Sequence, residues 1–215
     1  MTSTRPATPP ASAALARVNR PAFLTLRWIV RSLLKAPAHL VKGFRVQGAD
    51  RLPRRRTRLI LACNHAAFID SVYLILAART RFTICGAKPR LFRNTLFRFA
   101  MALANILKVE SREQFLGDTA ALLAAGETLL IYPEMGRNTA ALGEFKTWAA
   151  EVALANRVPI LPCYLYGTTA GQGGPPRLYV GAPIEPRGDA EDLTAGLRRA
   201  ILDLAPAVRT EGSET

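Results

Sequence analysis

Residues 57–79 read TRLILACNHAAFIDSVYLILAAR, an apolar run, Leu59-Ile60-Leu61-Ala62, that delivers Cys63-Asn64-His65 and then a second apolar stretch beginning near Asp70. The first run has the length and composition of a strand, and residues 71–79 carry the longer pattern of a helix. A strand, a short polar loop and a helix form the repeating unit of an α/β domain.

The same alternation continues on both sides. Strands are expected at 44–47, 57–62, 82–85, 106–109, 128–132, 160–166 and 177–180. Helices are expected at 71–79, 95–104, 112–124 closed by Gly126, 147–156, and 190–204 with Asp189 as N-cap and Pro206 beyond. The expected fold is a single α/β domain, with a mixed, mostly parallel central sheet covered by helices and an N-terminal amphipathic helix. At 215 residues and 49% hydrophobic composition the chain can bury one sizeable core. Residues 171–176, GQGGPP, form a turn before a strand, and no G-x-G-x-x-G opens a helix, which argues against a nucleotide-binding loop.

Charge is distributed unevenly. Residues 1–108 hold 20 Lys/Arg against two acids, a balance of +18, while residues 109–215 hold 9 against 14, a balance of −5. The N-terminal half therefore meets a polyanion: an anionic membrane, a nucleic acid or a phosphorylated small molecule. Residues 1–20 are rich in Ala, Pro, Ser and Thr and read as a disordered tail, with Pro6, Pro9 and Pro10 interrupting any transit-peptide helix. Residues 21–42 contain an amphipathic helix with Arg27, Arg31 and Lys35 on one stripe and Trp28 in its apolar face. Its apolar run is too short to span a bilayer, so it either lies on a membrane surface or packs on the core, and Trp28 with the absence of acids favours the membrane. Residues 43–208 form the globular domain and 209–215 a second tail. The arginine run Arg51, Arg54, Arg55, Arg56 and Arg58 lacks interleaved aromatics, so nucleic acid is not an expected partner.

Three cysteines and two histidines are too few for a disulfide scaffold or a built-in zinc site, and no metal or bound cofactor is expected. In open α/β sheets reactive groups collect at the carboxyl ends of strands. One such end presents His65 with Asp70 five residues later. A continuous helix would rotate them about 140° apart, so they can meet only if His65 lies on the loop and Asp70 in the first helical turn. The carboxylate then fixes the imidazole tautomer and supports an imidazolium. Asp70 before Ser71-Val72-Tyr73 is also a good helix cap. A second strand end presents Pro133-Glu134-Met135-Gly136-Arg137-Asn138, a carboxylate and a guanidinium beside a glycine. Cys63, two residues from His65, raises a Cys-His hydrolase as a rival, although core filling explains it as well.

Together these blocks resemble the lysophospholipid acyltransferases of the phospholipid and glycerolipid acyltransferase family, over roughly residues 44–185. The family's N-H-x-x-x-x-D is matched by Asn64-His65 through Asp70, and its F-P-E-G-T-R-S by Tyr132-Pro133-Glu134-Met135-Gly136-Arg137-Asn138. Its V-P-I-x-P is matched by Val158-Pro159-Ile160-Leu161-Pro162, its A-K-x-x-L-F by Ala87-Lys88 with Leu91-Phe92, and the start of its F-K-x-G by Phe145-Lys146. The chain departs from the pattern at Met135, Gly136 and Trp148, and Ser111 stands where an arginine is usual, with Arg112 one residue late.

The resemblance implies transfer of a fatty acyl group from acyl-CoA or acyl carrier protein, as cosubstrate, to a hydroxyl of a lysophospholipid, with 1-acylglycerol-3-phosphate the default acceptor. His65 is the expected general base and Asp70 its orienting partner. Lys88, Arg112, Glu134, Gly136 and Arg137 are the expected substrate-binding residues, Arg137 foremost for an anionic head group and Glu134 for an acceptor hydroxyl. The expected location is cytoplasmic, peripheral on the inner, anionic face of the cell membrane. The alternative is a degenerate acyltransferase fold that binds lipid without turnover.

Overall fold

Strand β2 (Leu59–Cys63) is buried at all five positions because neighbouring strands flank it and helices cover both its faces. The computed structural model describes Ser32 and residues 43–78, 80–87, 105–139, 142–169, 172 and 174–206. Apart from Ser32, which is helical, the expected helix within 21–42 lies outside these residues, as do the expected helix at 95–104 and Lys88.

In chain order the remaining elements are β1 (Arg45–Gln47), α1 (Asp70–Ala77), β3 (Thr83–Ala87), β4 (Ile106–Lys108), α2 (Arg112–Ala124), β5 (Thr128–Ile131), α3 (Trp148–Asn156), β6 (Ile160–Tyr166), β7 (Arg177–Val180) and α4 (Ala190–Asp203). The seven strands form one sheet in the order β1-β7-β6-β2-β5-β3-β4. Strands β6, β2, β5, β3 and β4 run parallel, β7 is antiparallel to β6, and β1 is parallel to β7. The expected α/β architecture with a mostly parallel sheet is thus the observed one.

Alternation along the strands divides the core in two. Ile60, Ala62, Leu129, Ile131 and Ile160 pack under α2, α3 and α4, against Phe115, Leu122, Ala149, Ala153, Leu197 and Ile201. Leu61, Cys63, Leu130, Leu161 and Cys163 pack on the other face with Tyr73 and Leu74 of α1. Helix ends are set locally. Ser111 Oγ accepts from Gln114 N at 3.1 Å to open α2, and Asp189 Oδ1 accepts from Asp192 N at 2.8 Å to open α4. Gly126, at φ +79°, closes α2, with Glu127 N donating to Leu122 O at 3.0 Å.

The arginine run lies before β2, at the end of the sheet opposite the strand carboxyl termini. Much of it fastens the fold. Arg56 and Arg81 both hold the buried Glu127 carboxylate, at 2.5 and 3.0 Å, while Arg51 donates to Val180 O and Arg58 to Asn156 O. These contacts account for three of the five arginines without any external partner.

Candidate active site

At the carboxyl end of β2 the chain leaves the sheet as an irregular loop, and this places His65 and Asp70 face to face. Asp70 is the first residue of α1 and is fully buried. Its Oδ2 lies 3.0 Å from His65 Nδ1 and accepts from Ala66 N at 2.7 Å and Ala67 N at 2.8 Å. The five-residue spacing works because residues 65–69 are not helical. The helix begins after Ile69 without any side-chain cap, so Asp70 turns back into the loop instead of capping its own helix. A carboxylate only accepts, so the imidazole donates from Nδ1 and keeps the Nε2 lone pair for another partner. The His65 side chain is 18% exposed, enough for a ligand to reach it.

Two further side chains hold this loop. Asn64 Oδ1 accepts from Leu165 N at 2.7 Å and its Nδ2 donates to Leu165 O at 3.0 Å, tying the loop's start to β6. Glu134, just past β5, is buried; its Oε1 accepts from His65 N at 2.9 Å, and its Oε2 accepts from Asn138 Nδ2 at 2.6 Å and Gly143 N at 2.9 Å. Asn138 N in turn donates to His65 O at 2.8 Å. The His65 peptide is therefore held from both sides by the 134–138 segment. Sequence reasoning places Glu134 against an acceptor hydroxyl; in the structure both its oxygens are occupied within the chain. Beside it is a cavity of about 40 Å³, lined in part by Asn64, Glu134, Asn138 and Tyr164, on the scale of a few water molecules.

The sequence reading missed Tyr132. Its ring stacks on the His65 imidazole with centroids 4.0 Å apart and planes 15° apart, and its hydroxyl lies 2.9 Å from Ser71 Oγ. Burial pushes the Tyr132 phenol well above its usual range, so this hydroxyl stays neutral. The available signal was its position immediately before Pro133-Glu134.

Arg137 is exposed on the loop that Asn138 anchors to His65, and it has no partner among the described residues. Gly136 precedes it, with nothing but Glu134 O, at 3.8 Å, near the place a Cβ would take. Met135, where glycine is usual in the resembling family, adopts a left-handed φ of +50°. Arg112 is not brought to the dyad. It opens α2 in the opposite helical layer, and its guanidinium donates to Glu151 at 2.7 Å. Of the expected site residues, His65, Asp70 and Glu134 are in direct contact, and Gly136 and Arg137 lie on the 134–138 segment whose ends hold the His65 peptide.

Cys63 is part of the core beneath α1. It is fully buried, and burial pushes its thiol well above the usual value. Cys163 is pushed up to about 12 for the same reason, from 9.0. At pH 8 the native chain is expected to resist maleimide or Ellman's reagent, and all three thiols should react once it is unfolded in urea. Fast labelling of folded protein would contradict the burial. The folded state holds these protons where the unfolded chain releases them, so thiol ionisation weakens the fold as pH rises from about 9 through about 12.

Residues 43–166 match the acyltransferase family model, more than half of the chain. The chain belongs to the acyltransferase family. Among relatives of this chain, a 1-acyl-sn-glycerol-3-phosphate acyltransferase of Cocos nucifera is 32% identical over 119 residues, covering 52% of this chain and 38% of the relative. A chloroplastic 1-acyl-sn-glycerol-3-phosphate acyltransferase, BAT2, of Brassica napus is 27% identical over 129 residues, covering 57% and 37%. The match thus spans less than half the length of these relatives. The crystal structure of PlsC, the 1-acyl-sn-glycerophosphate (LPA) acyltransferase of Thermotoga maritima, superposes with a TM-score of 0.65 at 18% identity, covering 93% of this chain and 88% of that one, and so shares the fold.

Proposed function

We propose that this acyltransferase moves a fatty acyl group from a CoA or acyl-carrier-protein thioester to the hydroxyl of a lysophospholipid, 1-acylglycerol-3-phosphate being the default acceptor. The observation that carries the proposal is the His65 Nδ1 to Asp70 Oδ2 contact at 3.0 Å, which leaves Nε2 at an accessible strand end. Nε2 takes the acceptor's hydroxyl proton as its oxygen attacks the thioester carbonyl. A C–O bond forms, the C–S bond breaks, and the imidazolium returns the proton to the departing thiolate. Asp70 supports the transient imidazolium. The Ala66 and Ala67 N–H groups are occupied by Asp70, so they do not serve the oxyanion; Lys88 is the candidate donor.

The names of the curated relatives support the choice of acceptor. Incubating the purified chain with acyl-CoA or acyl carrier protein and a panel of lysolipids, with mass spectrometry of the products, tests it. A diacyl product supports the proposal. Lipid binding without product supports the degenerate reading, which the changed residues Met135 and Gly136 favour.

Arg137 is assigned the acceptor's anionic head group, since a guanidinium fork matches such oxygens. Arg137→Ala is expected to raise the acceptor KM about tenfold with kcat little changed, a loss of binding shared by ground and transition states. An unchanged KM removes Arg137 from the site.

The protein is further proposed to work peripherally, on the anionic inner face of the membrane. No described helix is long and apolar enough to cross a bilayer. Phe68 and Ile69, within the His65–Asp70 loop, are 55% and 39% exposed, an apolar rim on the loop that carries the dyad. Sedimentation with liposomes is expected to show binding that needs anionic lipid and weakens with salt. Equal binding to neutral vesicles would count against it.

A further inference from the structure

We infer that Tyr132 is a positioning residue for His65: its ring, anchored through Ser71 to the first turn of α1, fixes the plane of the imidazole while Asp70 fixes its edge. A single hydrogen bond at Nδ1 sets the distance to Asp70 but leaves the ring free to tilt about the bond. The stacked phenol, 4.0 Å away and inclined by 15°, removes that freedom. Tyr132 is itself held. It continues β5 one residue past Ile131, it is buried, and its hydroxyl meets Ser71 Oγ at 2.9 Å. Ser71 is the immediate neighbour of Asp70, so the edge and the face of the imidazole are referenced to the same helical turn. Among the described residues, no other aromatic ring stacks on the imidazole and no hydrogen bond is made at Nε2. An electron-rich ring against the imidazole also favours the cation formed when Nε2 takes a proton. Since the resembling family's block begins with Phe, the hydroxyl link to Ser71 is a feature of this chain.

Proton NMR of the full chain tests this without substrate. There are two histidines, so a His39→Gln background isolates the His65 signals. In the wild-type ring, the carbon-bound protons of His65 should lie upfield of a free imidazole through the Tyr132 ring current, and Nδ1–H should be a downfield, slowly exchanging resonance. Tyr132→Phe should keep both features. Tyr132→Leu should lose the upfield shift and accelerate Nδ1–H exchange.

The kinetic arm rests on the acyl-transfer reading. With palmitoyl-CoA and oleoyl lysophosphatidate, Tyr132→Leu should lower kcat about 10- to 100-fold with KM within about twofold, as expected when a reacting group is misplaced by roughly 1 Å. Tyr132→Phe should restore most of kcat. Unshifted His65 resonances in wild type overturn the inference whether or not Tyr132→Leu folds. So do wild-type Nδ1–H exchange and kcat in Tyr132→Leu. Absence of wild-type turnover across the full panel of donors and lysolipids overturns the acyl-transfer reading, and the NMR result still decides the role of Tyr132.

Discussion

His65→Ala is expected to lower acyl-transfer turnover by about 10²- to 10⁴-fold, the contribution usual for a positioned general base. The fold should survive. The backbone N–H and C=O of His65, held by Glu134 and Asn138, do not depend on the imidazole. Tyr132 would lose its stacking partner at a partly solvated site, where the gap can fill with water. Circular dichroism and urea unfolding should therefore differ little from wild type while kcat falls. Near wild-type turnover in pure His65→Ala would remove the imidazole from the chemistry, and with it the proposed base mechanism.

Asp70 should fail in two separable ways. Asp70→Ala takes the acceptor from two backbone N–H groups as well as from the imidazole, and the Ala66 N–H is buried. At about 1–3 kcal/mol for each of the two backbone donors left without a partner, the fold should lose roughly 2–6 kcal/mol and turnover should collapse with it. Asp70→Asn can keep an oxygen in the Oδ2 position and so preserve much of the stability. It removes the negative charge that supports the imidazolium and the constraint on its tautomer, so kcat should still fall, by up to about 10⁴-fold as in comparable carboxylate-to-amide changes. Chemical denaturation measured beside kcat separates the two effects. If Asp70→Asn retained full turnover, the carboxylate would be a loop fastener only.

Much of the architecture is legible because it rests on local rules. Apolar runs such as Leu59–Ala62 and Thr128–Ile131 declare buried strands, and Ser111, Gly126 and Asp189 punctuate helices by hydrogen bonds within a few residues. The dyad is legible for a similar reason: only a loop at 65–69 lets a five-residue spacing close. What stays hidden depends on pairing across the sheet. Tyr132 reaches His65 because β5 lies beside β2 with Ala62 opposite Ile131, a register that nothing within either segment specifies. Glu134 reads as a ligand group because a carboxylate facing substrate and one facing amide N–H groups look alike in sequence. The Arg112–Glu151 contact is hidden for the same reason: the block fixes which strand Arg112 follows but not the layer its helix enters, where Glu151 engages it.

The central position of β2 bears on synthesis. Its partners are distant in the chain: Leu61 pairs with Leu130 on one side and with Leu161 on the other, 100 residues later. At translation rates of about 5–20 residues per second, that edge waits roughly 5–20 s for its neighbour. During this interval an uncharged, apolar five-residue strand stands with open backbone groups on a ribosome-bound chain. Such an edge invites pairing with other nascent copies, so yield in the cell should depend on chaperone capture of β2 more than on the stability of the finished domain.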